Sequence, residues 1–230
     1  MTVDVVGLVP IRGFRSGKTR LAETLSTEAR AAVSQWMLRG VIRAALAVDD
    51  LAKLAVISPD PSALEFARAV DDRVVPILQH DDQPGLNRAV AIGRDWALDH
   101  DASGLLVAFG DLPLLMSADV QTVLDDPAQV VVAPDRHGTG TNLSLVRFQG
   151  SGTEFVYQYG PGSARRHERE AARSGLTFGR VSTVGTGFDL DTLDDLQILQ
   201  NERCEVLRFA ELRHDSTSAV ASSSAARERS

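Results

Sequence analysis

Residues Val6 to Leu21 read VGLVPIRGFRSGKTRL. The first half belongs to an apolar run from Val3 to Pro10, and a run without alternation suits a strand buried on both faces of a mostly parallel sheet. The second half is a loop carrying Arg12, Arg15, Lys18 and Arg20, four cations within nine residues of a chain whose net charge is −7. Charge so concentrated calls for an anion, and Gly13 and Gly17 let backbone amides approach one closely. GFRSGKT is near the P-loop pattern of a glycine, four residues, then glycine, lysine and serine or threonine. Only Phe14, Arg15 and Ser16 separate Gly13 from Gly17, however, one residue too few to wrap a β-phosphate in that manner. Two readings stay open, a triphosphate cradle of another kind and an ordinary basic surface loop after a strand.

Composition narrows the classes. A chain of 230 residues with 43% apolar and 24% charged content suits one sizeable α/β domain, placed here at residues 1–214, with the small polar run DSTSAVASSSAARERS of 215–230 expected to be a disordered tail. Cys204 is the single cysteine, which excludes an internal disulfide and a cysteine-rich metal site, and with no secretory leader in view a cytoplasmic protein is expected. No apolar run approaches the roughly 18 residues of a membrane helix. Basic residues are scattered, except in the first loop and at Arg165, Arg166, His167 and Arg169, so nucleic acid is not the expected partner and small anionic substrates fit better.

Along the chain, Ser26 and Thr27 cap a helix through Val48 whose Val33, Met37, Val41, Ala44, Ala45 and Val48 recur at three and four. KLAVIS (53–58) is a strand, Pro61 to Ala69 a helix, and RVVPIL (73–78) a strand that Pro76 moves toward an edge. A helix opens at Gly85, and the apolar strand GLLVAF (104–109) ends in Gly110 and Asp111. Further strands are expected at 129–133, 143–148, 155–159, 177–183 and 187–191, with helices at 118–124, from Ser163 to Arg173 and from Thr192. Alternating strands and helices give a mixed, mostly parallel sheet flanked by helices, with an antiparallel insertion near residues 140–160. Ligands then belong at the carboxyl ends of the strands.

The groups that carry chemistry fall at those ends. Asp111 follows a buried strand, where a carboxylate needs a cation, a metal or amide donors. Asp189 and Asp191 stand two apart, and carboxylates from separate strand ends are what Mg²⁺ accepts beside phosphate oxygens and water. Helix capping is the competing reading for Asp111 and Asp191. Gly138 to Asn142 reads either as a loop whose amides and threonine hydroxyls close on an anion or as a plain hairpin turn. Gly160, Gly162 and Ser163 open a helix and so offer a second anion site, with Arg165 and Arg166 behind it. His167 is expected to pack or to support other groups, not to act as a base.

Six motifs in order, VGLVPIR with GKTRL, GLNRA (85–89), FGDLPLL (109–115), APDRHGTGTN (133–142), YGPGSARRH (159–167) and FDLDTLDDL (188–196), resemble the guanylyltransferases of deazaflavin coenzyme F-420 biosynthesis, the 2-phospho-L-lactate or phosphoenolpyruvate guanylyltransferase family. The likeness spans residues 3 to about 200. It implies a Rossmann-like nucleotidyltransferase of GT-A type that uses GTP and Mg²⁺ to guanylylate a small three-carbon phosphate. It also implies roles: Leu8 to Pro10 line the guanine, Arg12, Lys18 and Arg20 hold the triphosphate, and Asn87 contacts base or ribose. Asp111 with Asp189 or Asp191 binds Mg²⁺, while Thr141, Gly160 and Ser163 receive the acceptor phosphate. Arg12 departs from the lysine expected there, keeping the charge with a different fork geometry.

The chemistry so implied is in-line attack of the acceptor phosphate on the α-phosphorus of GTP, with Lys18 offsetting charge on departing pyrophosphate. Rival readings are a nucleotidyltransferase of the same fold acting on molybdopterin or a sugar phosphate, and a non-catalytic GTP-binding protein. The acceptor, phosphoenolpyruvate, 2-phospho-L-lactate or 3-phosphoglycerate, is left open, and a homodimer is compatible with the sequence.

Overall fold

The computed structural model describes residues 5–14 and 17–201, with side chains to Leu199. The expected boundary at 214 and the tail beyond it lie outside the described residues. The chain forms two compact units interleaved in sequence, the first holding 5–13 and 37–190 of the described residues and the second 14–36 and 191–201.

The first unit is built on a seven-stranded sheet in the order β3-β2-β1-β4-β6-β5-β7. Its strands are β1 (Val5–Pro10), β2 (Leu51–Ser58), β3 (Val74–Leu78), β4 (Gly104–Ala108), β5 (Val130–Ala133), β6 (Leu143–Arg147) and β7 (Phe178–Arg180). Its helices are α2 (Pro61–Arg68), α3 (Leu86–Asp99), α4 (Ser117–Asp125), α5 (Ser163–Arg173) and the single turn α6 (Val184–Gly187), while α1 (Thr27–Leu46) runs from the second unit into the first. Strand β1 pairs in parallel with both β2 and β4, and β6 lies antiparallel between β4 and β5. Strand β3 is an edge, as Pro76 requires, since a proline has no amide to give a further neighbour.

Both faces of the central strands are covered. Val6 and Leu8 of β1 join Ala55, Ile57, Leu105, Val107, Val130, Val132 and Val146 in one cluster, closed by Ala89, Val90 and Ala97 of α3 and Ala164 and Ala171 of α5. The alternate residues Val9, Val56, Leu106, Val131 and Leu145 are equally buried, which explains why these strands read as unbroken apolar runs. Gly93 lets α3 settle directly on β1, because a Cβ there would run into Leu8 Cδ2.

Two expected strands are absent. Residues 155–159 follow a 3-10 turn (Gly150–Glu154) as irregular chain; both edges of β6 are already taken by β4 and β5, so no pairing partner remains for them. In the other, Gly187 closes the helical turn α6, which Thr183 starts by accepting the Thr186 amide at 3.1 Å, and residues 188–191 are irregular.

In the second unit, the Ser26 hydroxyl accepts the Ala29 amide at 3.2 Å at the start of α1, as its capping position predicts. Helix α7 (Leu193–Asn201) begins with a reciprocal cap in which Asp195 accepts the Thr192 amide at 2.7 Å and Thr192 Oγ1 accepts the Asp195 amide at 3.3 Å. Phe14, Leu21, Leu25, Ala29, Val33, Leu196 and Leu199 are the buried apolar side chains of this unit among the described residues.

The tight seat of α3 on β1 is testable. Gly93→Ala overpacks against Leu8 and is expected to lower stability by about 1–2 kcal/mol despite alanine's better helix propensity. Leu8→Val in the same chain is expected to cost less than the two single changes added, measured by urea denaturation.

Candidate active site

In the first unit the strand order reverses between β1 and β4: the chain moves out through β2 and β3, then returns to the other side of β1. This is the switch point at which an open α/β sheet leaves a crevice beyond its strand ends. Arg12 follows β1 and is exposed, and Asp111 follows β4 and is half-buried. The two loops leave from the same end of the sheet, since Leu8 and Val107 are in register, and a side chain at Gly110 would meet Ile11 Cγ2 at 2.9 Å. Asp111 does not cap α4, which begins only at Ser117. Its carbonyl accepts the Leu190 amide at 3.1 Å, which brings the segment bearing Asp189 beside it.

Within the second unit, Lys18 Nζ donates to Asp191 Oδ1 at 2.8 Å, and Arg20 lies 3.8 Å from Asp191 Oδ2. The Lys18 side chain is only 9% exposed, so its charge is held by a partner, and the residue takes a left-handed φ of 53° at the start of a 3-10 turn (Thr19–Leu21). Asp191 is therefore paired to a cation, where the sequence offered it as a metal ligand.

Other residues named from the sequence are differently placed. The Leu8 side chain is fully buried against α3, so it does not reach a base. Pro10 is also buried. Asn87 holds the backbone of Tyr159, with Tyr159 N donating to its Oδ1 at 2.7 Å and its Nδ2 donating to Tyr159 O at 3.1 Å. It thus anchors the YGPGS loop to the start of α3. In the loop of 138–142 the amides of Thr139 and Gly140 are not offered to an anion, because Asp135 already accepts them at 2.9 and 2.8 Å. Burial raises the Asp135 carboxyl, and these amides with the Thr139 hydroxyl outweigh it to hold the group below its ordinary range.

The start of α5 is likewise occupied in part, since Ser163 N donates to Gly160 O at 3.0 Å and Ala164 N to Thr139 O at 3.2 Å. Side chains remain. Ser163 Oγ donates to Thr141 Oγ1 at 3.0 Å, and both residues are 2% exposed. Arg166 turns its guanidinium over Gly160, which has a φ of 117°, and its Nε and Nη2 are buried with no hydrogen-bond partner. Cationic donors left unsatisfied beside a glycine turn are a natural anion contact. The sequence put Arg166 behind this site; the structure puts it over the loop.

His167 is fully buried among Phe155, Tyr157 and Tyr159, the packing and supporting place expected of it from the sequence. Its Nε2 accepts the Gln158 amide at 2.9 Å, and its Nδ1 lies 3.3 Å from Thr141 Oγ1. His167 stands four positions after Ser163, about one helical turn, and that spacing was the available signal that they share a face. Burial, reinforced by the Arg166 charge and only partly offset by Glu170, lowers the His167 pKa to about 4 from its ordinary 6.5.

A folded-state pKa below the unfolded one means that the unfolded chain takes up a proton the native protein refuses. Stability from this group is then complete above pH 6.5 and lost as pH falls toward 4. The loss is expected to reach about 3 kcal/mol, to precede the protonation of Asp135, and to be absent in His167→Gln, all read from denaturant melts across that range.

The comparisons with known proteins agree with this frame. The family model described as "Guanylyl transferase CofC like" matches residues 5–203. A phosphoenolpyruvate guanylyltransferase of Rubrobacter xylanophilus is 34% identical over 201 residues, covering 86% of this chain and 94% of its own. One of Sphaerobacter thermophilus is 31% identical, covering 86% and 93%. Among solved structures, a Desulfovibrio desulfuricans G20 protein described as a nucleotide-diphospho-sugar transferase superposes with a TM-score of 0.71 at 18% identity, covering 93% of this chain and 95% of its own, which speaks to the fold alone. The sheet that reverses at β1 and β4 has the fold of nucleotide-diphospho-sugar transferases, and the chain belongs to the CofC-like guanylyl transferase family.

Proposed function

We propose that this enzyme transfers GMP from GTP to phosphoenolpyruvate, or to a close three-carbon phosphate such as 2-phospho-L-lactate, releasing pyrophosphate in the formation of coenzyme F-420 in the cytoplasm. The observation that carries the reading is the likeness to phosphoenolpyruvate guanylyltransferases over most of both chains. The first unit adds a chemical reason: Thr141 and Arg166 flank the Gly160 turn, and both suit the phosphate and carboxylate oxygens of such an acceptor.

In the reaction, an ionised oxygen of the acceptor phosphate attacks the α-phosphorus of GTP, a new P–O bond forms, and the α–β bridging bond breaks to release pyrophosphate. The nucleophile is already an anion at neutral pH, so no general base is required. That agrees with a site whose one buried imidazole is held neutral by burial and hydrogen-bonded on both nitrogens. Rate then comes from alignment and charge compensation. Arg12, Lys18 and Arg20 are the cations proposed for the triphosphate, and Lys18 would have Asp191 to exchange for phosphate oxygens.

Among the described residues no group of three or more acidic, histidine or cysteine side chains makes a metal cage. Two carboxylates on adjoining segments, Asp111 and Asp189, suit Mg²⁺, which keeps waters and takes substrate phosphates for the rest of its shell. When bound, Mg²⁺ supplies neutralisation of phosphate charge, and Asp111 and Asp189 are the residues proposed to hold it.

Purified protein with GTP, Mg²⁺ and each of phosphoenolpyruvate, 2-phospho-L-lactate and 3-phosphoglycerate is expected to yield a guanylylated product by mass, with equimolar pyrophosphate. Turnover with another nucleotide in preference to GTP, or GTP binding without acceptor-dependent turnover, would refute the reading. Asp111→Asn is expected to keep the fold and lose at least about a hundredfold in kcat. Lys18→Ala is expected to raise the KM for GTP, and kinetics unchanged by it would remove Lys18 from the nucleotide site.

A further inference from the structure

The chain Gln158, His167, Thr141, Ser163 is buried and polar, and its hydrogens can be assigned one by one. The Gln158 amide can only donate, so His167 Nε2 must be its acceptor and carries no proton. The neutral ring then bears its hydrogen on Nδ1, which faces Thr141 Oγ1. Ser163 Oγ donates to the same oxygen. A hydroxyl oxygen has two lone pairs, and both are now engaged. The one remaining valence of Thr141 is its own O–H, and with Ser163 donating and His167 donating, the hydrogen bonds of the described residues give that O–H no acceptor, although the residue is 2% exposed. An unmatched buried donor is costly unless something arrives to accept it.

We infer that His167 is a positioning residue: its tautomer, fixed by the Gln158 amide, fills the acceptor side of Thr141 together with Ser163 and so makes the Thr141 hydroxyl an obligate, oriented donor to an anionic oxygen of the acceptor substrate. The inference rests on the assignment of Thr141, Gly160 and Ser163 to the acceptor site. It gives a buried, uncharged histidine a role in a reaction that needs no base. The charged groups nearest the ring, Arg166 and Glu170 on the same helix, leave it neutral at physiological pH, and the elements packed on it contribute aromatic rings. A protonated ring would put a hydrogen on Nε2 against the Gln158 amide and break the arrangement.

Two substitutions separate the ring nitrogens. In His167→Gln the side-chain oxygen can take the Nε2 position and still accept the Gln158 amide, but nothing donates to Thr141. In His167→Asn the side-chain nitrogen takes the Nδ1 position and still donates. The H167Q protein is expected to raise the KM for phosphoenolpyruvate about tenfold or more with the KM for GTP within about twofold, and H167N to stay within about threefold of wild type for both. Thr141→Val is expected to match H167Q, and the double variant to be no worse than Thr141→Val, because His167 acts through that hydroxyl. Equal losses for both substrates, H167N no better than H167Q, or additive losses in the double variant would overturn the inference.

Two readouts do not depend on turnover. Nitrogen-15 NMR of histidine-labelled protein is expected to show the Nδ1–H form at His167, and an Nε2–H form would overturn the inference. Calorimetric binding of phosphoenolpyruvate is expected to weaken in H167Q and T141V and to persist in H167N. A wild-type protein that binds phosphoenolpyruvate through this chain yet does not guanylylate it would sink the proposed function and leave the role of His167 standing. Binding indifferent to all three variants would sink the role of His167 alone.

Discussion

A parallel strand flanked by two others and covered on both faces has no place along its length for a charge. Strand β1 is in this position, between β2 and β4, with Leu8 and Val9 completely buried on opposite faces. Every polar function of the first motif is therefore driven beyond Pro10, where the chain leaves the sheet. The same constraint acts on β4, whose five residues are all buried and whose first acidic group is Asp111. Because the strand order reverses between these two strands, no helix crosses directly from one end to the other, and the crevice is left to ligands.

Around the Gly160 turn the governing constraint is satisfaction of buried donors. Asp135 holds the amides of the 138–140 loop, the Thr139 carbonyl holds an α5 amide, and Asn87 holds both polar atoms of the Tyr159 peptide unit. Several backbone groups that a glycine-rich sequence offers are thus consumed in building the loops, and among the groups left are a hydroxyl and a guanidinium.

The second unit shows a related economy of charge. Asp195 caps α7, which leaves Asp191 available to the nearly buried ammonium of Lys18. A lysine taken from water must have a counter-ion, and Asp191 supplies it.

The alternation of apolar runs with amphipathic stretches determined the α/β class, the edge position of β3, the cap of α1 and the identity of the loops at strand ends, because burial and periodicity are local properties of the chain. The ordered motifs determined the family for the same reason, as they record loops rather than contacts. Tertiary structure alone decided which groups inside those loops are already engaged. Strand pairing at 155–159 depends on whether an edge of β6 is vacant, the role of Asn87 on a peptide 72 residues away, and the state of Thr141 on a histidine 26 residues later. Each is set by which partner reaches a polar atom first in space, and a linear sequence carries no record of that.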